Sequence, residues 1–210
     1  MGQLADAIRD LQEELVYGLV DRKIQEKIPP LDLIQECNQG MVQVGELFSQ
    51  KKYFISQLIF SAEIFKNVMK KINPLLEGGS RNDRPCHTVV IGTVKGDIHD
   101  IGKNIAGTFL RGAGFEVMDL GVDVPPEKFV QAVGQSHARA VGLSALLNFT
   151  YPDMKSVVDR FAAEGLRDQV KIIIGGAPVN EAVRQFTGAD YYANDAVAGV
   201  NLCKKIYALE

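Results

Sequence analysis

Apolar positions repeat with two different periods along the chain, and the change of period divides it. From Leu4 to about Asn73 the spacing is helical. Leu4, Ile8, Leu11 and Leu15 fall on one face, with Asp10, Gln12, Glu13 and Glu14 on the polar side, which predicts an amphipathic first helix. A short segment through Ile24 and Ile28 ends at Pro29-Pro30, because proline cannot continue a helix from within. Beyond it Ile34, Cys37, Met41, Val44 and Phe48 form a second long stripe. Leu58, Ile59, Ala62, Phe65, Met69 and Ile72 form a third, from about Ser56 to Ile72, closed by Asn73-Pro74. The expectation is a small antiparallel four-helix bundle over residues 1–77.

Gly78-Gly79-Ser80-Arg81-Asn82-Asp83-Arg84-Pro85 has little to bury and reads as an interdomain linker, placed at 78–87. From 88 to 210 short β-branched runs alternate with helical stretches: Thr88 to Val94, Glu116 to Leu120, Ala140 to Ser144, Val170 to Ile174 and Asp190 to Ala193. Five such strands separated by helices predict an α/β domain with a five-stranded parallel sheet covered on both faces.

Composition narrows the function classes. Hydrophobic residues make up 46% and charged residues 23% of the 210, which excludes a disordered tail or a fibre. With 26 acidic against 23 basic residues the formal charge is −3, so there is no basic field to neutralise phosphates and nucleic acid is not an expected partner. Cys37, Cys86 and Cys203 are far apart and form no C-x-x-C pair, as in a protein of a reducing compartment. The first residues do not read as a signal peptide and no run approaches the roughly 20 apolar residues that span a bilayer, so a cytoplasmic protein without a membrane partner is expected.

In open parallel sheets ligands bind beyond the carboxyl ends of the strands, where the connections diverge. The first such loop runs from Gly92 through Lys95-Gly96-Asp97-Ile98-His99-Asp100-Ile101-Gly102-Lys103 to Asn104 and matches neither the dinucleotide nor the P-loop glycine pattern. It offers instead an imidazole flanked by carboxylates. Asp97 and His99, one residue apart, can pair so that the carboxylate fixes the tautomer and makes the other ring nitrogen a better metal donor, while Gly102 lets the next helix approach a bulky ligand. The later strand ends carry Gly142-Leu143-Ser144-Ala145-Leu146-Leu147, Ile174-Gly175-Gly176-Ala177-Pro178 and Tyr192-Ala193-Asn194-Asp195-Ala196, small or hydroxylated residues that leave a slot on the same rim.

On these residues the chain resembles the cobalamin-binding module of methionine synthase and, more closely, the free-standing corrinoid proteins of anaerobic methyltransferase systems. The family signature, Asp-x-His-x-x-Gly, Ser-x-Leu and Gly-Gly, is present as Asp97/His99/Gly102, Ser144/Leu146 and Gly175/Gly176. The resemblance implies a flavodoxin-like, Rossmann-type cobalamin domain beneath a helical cap. It implies a corrinoid bound base-off, with His99 as the lower ligand to cobalt, Asp97 behind it, and Gly96, Ile98 and Asp100 of the same loop close by. Ser144, Asn148, Gly175, Gly176 and Ala196 would lie along the inserted nucleotide tail, with Leu146 of the Ser-x-Leu also binding the cofactor. Thr150 takes the position of the family's proton-relay serine, and Phe48, Ile55 and Leu58 match the spacing of the cap residues that shield the upper face.

The implied function is a carrier that moves a methyl group on cobalt, between Co(I) and methyl-Co(III), from a substrate-specific corrinoid methyltransferase to a second methyltransferase serving a folate or thiol coenzyme. A reductive activase is a further implied partner. No general acid, base or nucleophile of the chain's own is expected, because the cofactor carries the chemistry. The Asp97/Thr150 pair would tune the release of His99 from cobalt, and the linker would act as a hinge. A corrinoid-dependent sensor and a subunit of an adenosylcobalamin mutase share the binding motif; the first needs an output element, and the helical cap with Phe48 favours methyl chemistry over the second.

Overall fold

The computed structural model describes residues 2–76 and 87–209, so the linker placed at 78–87 lies outside the described residues except for His87. The chain divides into two compact units, a helical one of residues 1–85 that also takes in Arg111–Gly114, and an α/β one of residues 86–110 and 115–210.

Four helices build the first unit: α1 (Gln3–Arg9), α2 (Glu13–Gln25), α3 (Pro30–Ser49) and α4 (Ile55–Ile72). α3 opens with proline at its first turn, where the missing N–H is no loss, so the tandem prolines both stop one helix and start the next. α4 is entered through one half of a capping box, the Phe54 N–H donating to Gln57 Oε1 at 2.9 Å. Leu4, Ala5 and Ile8 of α1, Val16, Leu19 and Val20 of α2, Leu33, Cys37 and Val44 of α3 and the stripe Leu58, Ala62, Phe65, Val68 and Ile72 of α4 are buried. At Gly40 of α3 an added Cβ would meet Ile8 Cβ at 2.7 Å and the Ala5 carbonyl at 2.8 Å, so α1 and α3 cross at a distance only glycine permits.

The first stripe does not form one helix through Leu15. α1 stops at Arg9 and α2 begins at Glu13, because Leu11 turns left-handed at φ 57°. Its N–H donates to the Ile8 carbonyl at 3.1 Å and that of Gln12 to the Ala7 carbonyl at 2.9 Å, the Schellman arrangement that satisfies terminal carbonyls. Lys27 at φ 57° and Lys51 at φ 59° close α2 and α3 in the same way. Glycine normally fills this position; here three L-residues hold it, each at roughly 1 kcal/mol of backbone strain.

The second unit contains β1 (Thr88–Thr93), α5 (Ile101–Gly112), β2 (Glu116–Asp119), α6 (Pro126–Ser136), β3 (Ala140–Ser144), α7 (Tyr151–Ala163), β4 (Lys171–Gly175), α8 (Glu181–Thr187), β5 (Tyr191–Ala193) and α9 (Ala196–Tyr207). All strand pairs are parallel and the order is β2-β1-β3-β4-β5, so the chain reverses direction across the sheet between β1 and β3. Register aligns Thr93, Ser144, Gly175 and Ala193 in one row at the carboxyl edge.

The two faces of this sheet differ in bulk. Val90, Val94, Val141, Leu143, Ile172 and Ile174 point one way and pack with Phe129 of α6, Met154, Val157 and Phe161 of α7 and Val183 of α8 in one buried cluster. On the other face, where α9 lies over β4 and β5, Gly142, Ser144 and Gly175 stay partly open although they belong to central strands. Among the described residues no helix is long and apolar enough to cross a membrane.

Leu58 has no exposed surface, whereas Ile55 at the start of the same helix is 55% exposed. Leu58→Ala is expected to destabilise the helical unit by about 3 kcal/mol and Ile55→Ala by less than about 0.5 kcal/mol, read as shifts of the urea midpoint of the apo-protein.

Candidate corrinoid site

The loop that leaves β1 folds on its own carboxylate. Gly96 turns at φ 81°, and its N–H donates to Asp123 Oδ1 at 2.8 Å, so the loop after β2 holds the loop after β1. The Asp123 N–H returns a bond to the Asp97 carbonyl at 3.0 Å. Asp97 itself has no exposed surface. Its Oδ1 accepts from the His99 N–H at 2.9 Å and faces His99 Nδ1 at 2.7 Å. Its Oδ2 accepts from the N–H groups of Leu146 at 2.7 Å and Leu147 at 3.1 Å. The carboxylate therefore spans the crevice between the ends of β1 and β3, where the strand order reverses.

Burial by itself raises the pKa of Asp97, but the backbone donors of His99, Leu146 and Leu147 and the imidazole outweigh it and hold the group at about 2. An ionised carboxylate only accepts, so the proton of this contact sits on His99 Nδ1 and the lone pair of the neutral ring is left on Nε2. The His99 side chain is 48% exposed, with Nδ1 committed to Asp97. That is the geometry of an oriented metal ligand with its carboxylate behind it. Among the described residues no three or more His, Cys, Asp and Glu side chains gather for a metal ion. A bare transition ion takes about four donors, and a single imidazole suits a metal whose other positions are filled by a macrocycle.

The surroundings fit a flat ligand with an inserted tail. Gly96, Ile98, Asp100 and Leu146 are exposed beside His99, and a Cβ added at Gly102 in the first turn of α5 would meet nothing within 4 Å. Ser144, Gly175, Gly176 and Ala196, at the ends of β3 and β4 and the start of α9, are half-buried along the open face of the sheet. Gly176 is required by its backbone as well, since it sits at φ 141° and a Cβ there would lie 1.9 Å from the Ala145 carbonyl. The residues of the α/β unit named from the sequence thus converge on one edge of one sheet. Phe48 and Ile55 belong to the helical unit, one half-buried near the end of α3 and the other exposed at the start of α4.

Three expectations change. The Thr150 hydroxyl donates to the Leu147 carbonyl at 2.7 Å, not to Asp97, the local back-bond a threonine makes at the end of the turn Asn148–Thr150. The Asp97/Thr150 pair is therefore no direct relay. Asn148 Oδ1 accepts from the Tyr151 hydroxyl at 2.9 Å, so its side chain is engaged locally. Leu58 lies on the buried stripe of α4 and offers no surface to a ligand.

Sequence reasoning also missed residues. Lys103 is 6% exposed and its Nζ meets both oxygens of Asp119, at 2.7 Å and 2.6 Å, tying the start of α5 to the end of β2. Asp123, and Thr93 beneath the His99 carbonyl, have no pattern that a spacing rule detects.

Comparison with known proteins agrees with this geometry. Two family models, each described as a B12 binding domain, match residues 87–201 and 2–73. The chain is 36% identical over 205 residues to dimethylamine corrinoid protein 3 of Methanosarcina acetivorans, covering 97% of this chain and 95% of that one. It is 39% identical over 199 residues to the trimethylamine corrinoid protein of Methanosarcina barkeri, covering 93% and 92%. Among solved structures it is similar to a cobalamin-binding protein of Desulfitobacterium hafniense, with TM-score 0.74, 40% identity and coverage of 97% and 96%. It is also similar to the methanol:cobalamin methyltransferase complex of Methanosarcina barkeri, with TM-score 0.81, 29% identity and coverage of 98% of this chain and 78% of that one. With both halves matched and the imidazole, its carboxylate and the small-residue slot in place, the chain belongs to the family of corrinoid proteins built from B12-binding domains.

Proposed function

We propose that this protein carries a methyl group on a bound corrinoid from a substrate-specific corrinoid methyltransferase to a second methyltransferase that serves a folate or thiol coenzyme, with a reductive activase as a further partner. The observation that carries the reading is the exposed His99 imidazole, its Nδ1 held 2.7 Å from a buried carboxylate at the point where the strand order reverses. The relatives named for dimethylamine and trimethylamine corrinoid proteins, and the similarity to a methanol:cobalamin methyltransferase complex, support the methyl-transfer role.

When bound, the corrinoid supplies a cobalt centre able to accept and surrender a methyl group. The chain supplies the setting. His99 would hold the cobalt through Nε2, and Asp97 would keep the ring in the tautomer and orientation this requires. Ser144, whose hydroxyl makes no hydrogen bond among the described residues, faces the tail, and Gly175 and Gly102 leave it room. Ile98 and Leu146, 72% and 43% exposed, offer apolar surface beside the imidazole. The family spacing assigns apolar shielding to Phe48 and Ile55 of the helical unit. In this reading the methyl donor is selected by the partner methyltransferase.

Three outcomes test the reading. Loaded with hydroxocobalamin and reduced to Co(II), the wild-type protein should show axial nitrogen hyperfine coupling by electron paramagnetic resonance, lost in His99→Ala; a wild-type spectrum without it would remove His99 as the ligand. In Asp97→Asn one amide NH₂ must face N–H donors, and the apo-protein should lose about 2 kcal/mol of stability in urea. Gly175→Ala is accommodated in the fold, its Cβ 3.6 Å from the Ala193 carbonyl. It should weaken hydroxocobalamin binding about tenfold while leaving the tail-less cobinamide unaffected; equal losses for both would place the tail elsewhere.

A further inference from the structure

Thr93 ends β1 in the row of Ser144 and has no exposed surface. Its backbone is fixed on both sides, the N–H donating to the Gly121 carbonyl at 3.0 Å and the carbonyl accepting from the Val124 N–H at 3.0 Å. Its hydroxyl donates to the His99 carbonyl at 2.9 Å. That carbonyl lies one residue before the helical ladder of α5, whose first bond here runs from the Asn104 N–H to the Asp100 carbonyl at 2.7 Å. The helix leaves the His99 carbonyl over, and Thr93 takes it up.

The consequence lies in how a side chain is aimed. Asp97 holds His99 at its N–H and at Nδ1, which sets the ring relative to the carboxylate but leaves the following peptide free to swing. Rotation of the 99–100 peptide changes the backbone angle at His99 and carries Cβ and the ring with it. A third fixed point at the carbonyl removes this freedom. A buried hydroxyl is costly unless bonded, and valine would fill the same volume in a strand without that cost, so a threonine at this position is explained by the bond it makes.

We infer that Thr93 is a positioning residue for the His99 ligand, acting through the His99 backbone and not by contact with the corrinoid. The inference rests on the reading of His99 as the lower ligand. With the carbonyl held, Nε2 is presented in one direction before the cofactor arrives, and less ordering accompanies ligation. Without it the imidazole samples several directions, and only part of the loaded protein is ligated.

A double-mutant cycle separates this role from a contribution to folding. Hydroxocobalamin is titrated by its absorbance into wild type, Thr93→Val, His99→Ala and the double variant, each checked for a native circular dichroism spectrum. Thr93→Val should weaken binding about fivefold where His99 is present, the worth of one neutral hydrogen bond, and less than twofold in the His99→Ala background. The Co(II) spectrum of Thr93→Val should lose part of its nitrogen hyperfine intensity, and Thr93→Ser should restore both readings. Equal losses in the two backgrounds, no loss in either, or failure of serine to restore them would overturn the inference. If Thr93→Val does not fold, Thr93→Ala is put through the same cycle with the same criteria. A wild-type spectrum lacking nitrogen coupling, with His99→Ala binding as tightly as wild type, is the distinct result in which the ligand reading itself fails.

Discussion

A carboxylate without solvent has to be met by donors, and in this protein that requirement falls on Asp97. Four N–H groups meet it, two from its own loop and two from the loop after β3. Neither loop could satisfy the charge alone. The two strand ends on either side of the crevice are therefore held together by one ionised group, and the imidazole that shares it is oriented by the same bonds. In the proposed reading this imidazole is the one donor to cobalt, and the buried charge supplies its aim while the ring remains half in solvent.

The sheet divides its labour by face. One face carries valine, leucine and isoleucine against Phe129, Met154 and Phe161, and this cluster supplies cohesion. The other face gives up bulk at Gly142, Ser144 and Gly175 on central strands, where packing alone would favour large side chains. The apolar area not buried there is the room in which the proposed corrinoid tail would lie. Lys103 and Asp119 complement this arrangement from the side: a nearly buried ion pair anchors the first turns of α5 to β2, so the helix next to the open face does not depend on packing against that face alone.

Much of this was legible in the residues. The alternation of β-branched runs with helical stretches marked five parallel strands, and Asp97, His99 and Gly102 pointed to the candidate site only together with the small residues at the other strand ends. Other features left no trace. Leu11, Lys27 and Lys51 end their helices in a conformation that usually signals itself by glycine, so the break between α1 and α2 was invisible to a periodicity argument that counted Leu11 and Leu15 on one face. Leu58 matched a spacing carried over from relatives, yet its place on the stripe with Ala62, Phe65 and Ile72 puts it in the core. Thr150 has the right hydroxyl at the right spacing, but it donates to the local Leu147 carbonyl. Backbone donors and acceptors, which decide where hydroxyls and carboxylates point, do not appear in a sequence pattern; Thr93 and Asp123 escaped notice for the same reason.

The account depends on Asp97 fixing the His99 ring before any cofactor is present. The direct measurement is the tautomer of His99 in the apo-protein, read from long-range ¹H–¹⁵N correlation spectra of ¹⁵N-histidine-labelled protein at a pH where the ring is neutral. The account predicts a protonated, hydrogen-bonded Nδ1 and an unprotonated Nε2; a ring found as the Nε2–H tautomer, or averaging between the two, would contradict it.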